Sequence, residues 1–206
     1  MKVLLIIIFT ILEIGCAPYF KIPDVPEVSY DCGLVPEIQD SAKPNLLVVG
    51  DSISLLYTPA LRLELPQLDV FHNPCNAQSS IYTSRHINEW LALQKNDIVI
   101  FNNGVWDRGL RTPPDTYKEN IRFTARAIKA TGAKAYFITM TTGQEVKEGL
   151  QNVYRYAAFE VMREEGIPVI DLYKFTEENN IQPGHDGTHF EAPESARLAA
   201  YIASQL

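Results

Sequence analysis

From residue 46 onward the chain alternates short apolar runs with amphipathic segments, and that alternation leaves few folds open. The run Leu46-Leu47-Val48-Val49 follows Pro44 and closes on Gly50, and runs of similar character recur at 68–71, 97–101, 135–140 and 168–171. Apolar runs this short, rich in Val, Ile and Leu, read as strands buried on both faces of a parallel sheet. The intervening segments have a helical period. Tyr117, Ile121, Ala125 and Ile128 share one face ahead of Gly132, and Leu150, Val153, Tyr154, Ala157, Ala158, Val161 and Met162 share another ahead of Gly166. Helices are also expected at 80–93 and 194–206. One at 55–65 is expected to break at Pro59 and restart with Thr58 as its N-cap. Five strands joined by right-handed helical crossovers make a three-layer α/β/α domain with a five-stranded parallel sheet.

That domain is expected to span 45–206. Residues 1–17 carry Lys2, an apolar stretch over 3–12 and small residues at Gly15 and Ala17, which is the pattern of a secretory leader. Cleavage after Ala17 implies a secreted protein. Cleavage before Cys16 implies an extracytoplasmic protein anchored to the membrane through a lipidated Cys16, although Glu13 stands where such leaders carry an aliphatic residue. Residues 18–44, rich in proline and acidic side chains, read as a spacer or wrapping segment. Once the leader is gone Cys32 and Cys75 remain, and an even pair in an exported chain is expected to form a disulfide. Neither has histidine at zinc-like spacing, so no metal is expected. The net charge of −7 argues against nucleic acid and anionic membranes as partners, because both select basic surfaces.

The chemistry is expected where the first strand ends. Asp51 and Ser52 follow Gly50 at the carboxyl edge of a strand, which is where parallel sheets present residues to ligands. Ser52 alone reads more readily as a helix N-cap than as a nucleophile. A serine hydroxyl becomes a useful nucleophile only beside a base that is itself oriented by a third group. Asp186-Gly187-Thr188-His189 offers both, with the acid three residues ahead of the histidine, and Asp171 at the end of the last strand is the rival acid. His72 and His86 lack such company and read as structural, while His185 is a candidate pocket residue.

Gly50-Asp51-Ser52 near the start of the folded region, Gly104-Val105-Trp106-Asp107 after a central strand, and the late Asp186-x-x-His189 before the last helix together resemble the SGNH, or GDSL-type, hydrolases. The resemblance covers roughly residues 46–206. It implies a flavodoxin-like sheet and an acyl-enzyme mechanism with Ser52 as nucleophile, His189 as base and Asp186 as its orienting acid, without a cofactor. It also implies an oxyanion hole, and here the chain departs from the pattern. Trp106 stands where the family has asparagine, and Asn76-Ala77-Gln78-Ser79-Ser80 lacks the glycine of the second block. The candidate donors are therefore the Ser52 and Gln78 main-chain N–H groups and the Asn102 side chain, with Asn76 a further option. Trp106 and Asn103 are expected in the substrate pocket, near Tyr82 and Phe190. The expected activity is hydrolysis of a small-molecule or glycan ester, such as an O-acetylated carbohydrate, by a monomer. A non-catalytic binding module with this fold, or an acyltransferase with the same triad, is the alternative.

Overall fold

The computed structural model describes residues 42–143 and 149–206. Five strands, β1 (Asn45–Val49), β2 (Asp69–His72), β3 (Ile98–Phe101), β4 (Lys134–Ile138) and β5 (Val169–Ile170), form one parallel sheet in the order β2-β1-β3-β4-β5. Leu46 on β1 pairs with Val70 on one side and Ile98 on the other. Among the described residues the helices are α1 (Ser52–Glu64), α2 (Ser80–Ala92), α3 (Val105–Leu110), α4 (Pro114–Ala130), α5 (Leu150–Glu165), α6 (Leu172–Glu178) and α7 (Ala192–Ser204).

β1 shows why the strands are apolar without interruption. Successive side chains leave a strand on opposite faces. Leu47 and Val49 join a core with Ile87 and Trp90 of α2, Ile121 of α4 and Val161 of α5, whereas Leu46 and Val48 join a second core with Tyr57 and Leu61 of α1 and Leu198 and Ile202 of α7. Leu46, Leu47, Val48 and Val49 are all buried. Each contributes about 1.5–3 kcal/mol of burial free energy, so neither face tolerates a polar residue. The sheet is thus the middle of three layers, with α2, α4 and α5 on one side and α1 and α7 on the other.

Three expectations change. The first helix does not break: α1 runs through Pro59, which is exposed. Thr58 is no cap, since its hydroxyl donates to the Ser54 carbonyl one turn back at 2.6 Å, and the N-cap is Asp51, which accepts from the Ile53 N–H at 3.0 Å. Two helices, α3 and α6, were not expected from periodicity; at six and seven residues they are too short to show one. The last helix begins at Ala192 rather than 194, with a proline in its first turn. Residues 1–17, most of the 18–44 spacer and Cys32 lie outside the described residues, and with them the expected leader and the Cys32–Cys75 pairing. Among the described residues no helix is long and apolar enough to cross a membrane, and no group of three or more His, Cys, Asp or Glu is placed to hold a metal.

Candidate active site

The sheet order reverses between β1 and β3, and parallel sheets open a crevice at that point. β1 delivers Gly50 to it. The Gly50 N–H donates to Asn73 Oδ1 at 2.9 Å and its carbonyl accepts from the Ala77 N–H at 2.8 Å, tying the turn to the segment after β2. A Cβ on residue 50 would fall 2.1 Å from Asn102 Oδ1 and 2.4 Å from Ser54 Oγ, so glycine is required by close approach. The Ser54 hydroxyl donates to the Asp51 carbonyl at 2.6 Å, and α1 starts at Ser52. Among the described residues nothing accepts from the Ser52 N–H, which leaves this first-turn donor, at the positive end of the helix dipole, available to an oxyanion.

The loop before α7 brings the other half. Gly187 takes a left-handed conformation (φ 74°), and the Gly184 N–H donates to the His189 carbonyl at 2.7 Å, closing the loop on itself. Asp186 Oδ1 accepts from the main-chain N–H groups of Thr188 and His189 at 2.9 and 2.8 Å, and Oδ2 meets His189 Nδ1 at 2.6 Å. The His189 and Thr188 amides and the imidazole hold the Asp186 carboxyl well below the ordinary carboxylate range. An ionised carboxylate only accepts, so Nδ1 carries the proton and the Nε2 lone pair faces Ser52 Oγ at 2.7 Å. The Ser52 hydroxyl therefore donates to His189. The adjoining cleft, of about 390 Å³, is lined by the apolar side chains of Leu55, Leu56 and Phe190 together with Ser52, Asp186, His189, His185 and Glu191.

Comparison with known proteins places this architecture. No family model matches the chain, and no curated protein sequence does. Solved structures do. An acetyl xylan esterase, AlAXEase, superposes with a TM-score of 0.70 over 79% of this chain and 99% of its own at 15% identity. TesA does so at 0.70 over 79% and 97% with 21% identity, and a lipase/acylhydrolase from Enterococcus faecalis at 0.69 over 79% and 94% with 20% identity. The chain has the SGNH hydrolase fold. Within that fold Ser52 occupies the turn after β1 and His189 the loop before α7, facing each other across the crevice.

Several expected site residues lie elsewhere. The Gln78 N–H donates to Asn76 Oδ1 at 2.8 Å, so it is committed inside its own loop and does not point at the serine. That loop turns through a left-handed Gln78 (φ 51°), a conformation which the Asn76 side chain supports. Asn103 is buried: its amide donates to Thr83 Oγ1 at 2.8 Å and its carbonyl accepts from the Tyr117 hydroxyl at 3.0 Å, which joins β3 to α2 and α4. Trp106 sits half-buried in α3 and does not line the cleft, and neither does Tyr82, whose ring packs on His86 on the other side of the sheet at 4.3 Å. Asn102 follows β3, with its N–H on the Val49 carbonyl at 3.0 Å and its side chain against Gly50 and the buried Asp51 carboxyl. Burial pushes the Asp51 carboxyl up, against the Ile53, Ser54 and Asn102 donors that favour its charge. The rival acid Asp171 caps α6, accepting from the Lys174 N–H at 3.2 Å, and pairs with Arg155. His185 and Phe190 line the cleft as expected. Leu55, Leu56 and Glu191 were not anticipated, although the two leucines fall three and four residues beyond Ser52, the spacing that puts side chains on one helix face.

Proposed function

We propose that this chain is an exported carboxylic ester hydrolase that works through an acyl-enzyme on Ser52. The observation that carries the reading is the unbroken relay Asp186–His189–Ser52, with contacts of 2.6 and 2.7 Å. As the Ser52 oxygen bonds to the ester carbonyl carbon, its proton passes to His189 Nε2, and Asp186 steadies the imidazolium. The carbonyl oxygen becomes the oxyanion, which the Ser52 N–H stabilises together with the second N–H of the Asn102 amide, the first being spent on the Asp51 carboxyl. Collapse breaks the bond to the alcohol, which leaves with the His189 proton. Water then repeats the sequence on the acyl-enzyme and releases the acid. The apolar side chains of Leu55, Leu56 and Phe190 suit an acyl group, and the acetyl xylan esterases among the structural neighbours favour an O-acylated carbohydrate or another small ester as substrate.

A complete relay has no use in a binding module, which weighs against a non-catalytic reading; an acyltransferase would deliver the same acyl-enzyme to another alcohol. Residues 1–17 are read as the leader of a secreted protein, or of one lipidated at Cys16, and Cys32 and Cys75 as a disulfide of the exported monomer. The deciding experiment is mass spectrometry after treatment with a small fluorophosphonate. One adduct, mapped to Ser52 and lost in Ser52→Ala, is expected; a folded protein that takes up no adduct would overturn the reading. The native N-terminus and a non-reducing digest test the leader and the disulfide in the same samples.

A further inference from the structure

The Glu191 side chain has no structural partner among the described residues. The residue is the N-cap of α7, and its carbonyl accepts from the Ser195 N–H at 2.9 Å, yet its side chain makes no capping hydrogen bond and has no ion-pair or hydrogen-bond partner among the described residues. Its carboxylate instead lies over Gly184, where a Cβ would come within 2.9 Å of Oε1, and both residues line the cleft beside Ser52. The cleft's other carboxylate, Asp186, is committed to His189 and Thr188. No Lys or Arg is among the lining residues. The site therefore presents one uncommitted carboxylate, with no Lys or Arg among the described lining residues, to whatever part of the substrate is not buried against Leu55, Leu56 and Phe190.

We propose that Glu191 is a specificity-determining residue which makes this site take esters of cationic or neutral alcohols and reject those whose alcohol part is anionic. The inference rests on the hydrolase reading above. A cationic alcohol gains attraction to the carboxylate, a polyol gains a charge-assisted hydrogen-bond acceptor, and a sulfonate or phosphate meets repulsion in a cleft with no compensating cation.

Three butyrate esters that share one acyl group and differ in the charge of the alcohol test this: those of choline, of 3,3-dimethylbutanol and of 2-hydroxyethanesulfonate. The expected result is a choline-to-sulfonate ratio of kcat/KM of about ten or more, which falls about threefold in Glu191→Gln, inverts in Glu191→Lys and shrinks in 0.5 M salt. Gly184→Ala, which displaces the carboxylate by contact, should lower the ratio as well. Glu194→Gln removes the same charge from α7 outside the lining and should not move it. A ratio near one in the parent protein, or one equal in the parent and Glu191→Gln, overturns the proposal. If the neutral ester is cleaved no faster by the parent than by Ser52→Ala, the hydrolase reading itself has failed; Ser52-dependent cleavage with a ratio indifferent to Glu191 defeats only the specificity assignment.

Discussion

Ser54 Oγ lies 2.6 Å from His72 Nε2, a buried serine–histidine contact two residues from the Ser52–His189 contact and of nearly the same length. The two differ in what stands behind the imidazole. His72 Nδ1 meets the main-chain carbonyl of Asn73 at 2.8 Å, not a carboxylate, and no cleft residue is Ser54 or His72. The inner pair is a brace for the turn.

Burial lowers the His72 imidazole to about 4, helped by Arg62 and opposed by the Asn73 carbonyl. As pH falls through 6.5 the unfolded chain takes up a proton that the folded chain refuses. Stability from this group is complete above pH 6.5 and declines by about 3 kcal/mol in total as pH approaches 4. Denaturant titrations from pH 7.5 to 4 should show that slope, and His72→Gln should flatten it.

Gly50→Ala is expected to cost about 2–4 kcal/mol and at least a hundredfold in turnover, because the new methyl group would collide with Asn102 Oδ1 and Ser54 Oγ. Urea midpoints with single-turnover rates check both halves. Unchanged activity would mean that the Asn102 position has no bearing on the reaction.

The two candidate acids separate by substitution. Asp186→Asn removes the charge that steadies the imidazolium and should lower kcat by about 10²–10⁴, while Asp171→Asn should leave kcat within about threefold. Asp171→Asn should instead weaken the fold, since it strands the partly buried Arg155 between α5 and α6. The Asp186 carboxyl sits below its ordinary range, so its ionised form persists as pH falls through the usual carboxylate window.

Asn102→Ala should reduce kcat by about 10²–10³ with a smaller effect on KM, as expected for a donor used mainly by the oxyanion. Trp106→Ala should stay within about threefold. The reverse pattern, in a variant that melts normally, would move the oxyanion hole to α3.

Much of this was legible because the decisive signals are local. Leu46 to Val49 is apolar on both faces since both faces are covered, and Asp186 reaches His189 because three residues of turn bring them together. Gln78 misled for the opposite reason: a side chain two residues back takes its N–H, which composition and spacing do not reveal. Pro59 misled because an exposed proline on a helix otherwise packed against the sheet leaves α1 unbroken. Glu191 was overlooked because an acid ahead of a terminal helix is commonplace, and only the cap it fails to make distinguishes it.

Ser52 and His189 are 137 residues apart in the chain and meet where α1 and the loop ahead of α7 come together. At a translation rate of about 5–20 residues per second, roughly ten seconds separate the emergence of Ser52 from that of His189. A growing polypeptide therefore carries Ser52 without its histidine through most of its synthesis, and the relay can assemble only once the loop ahead of α7 has been made.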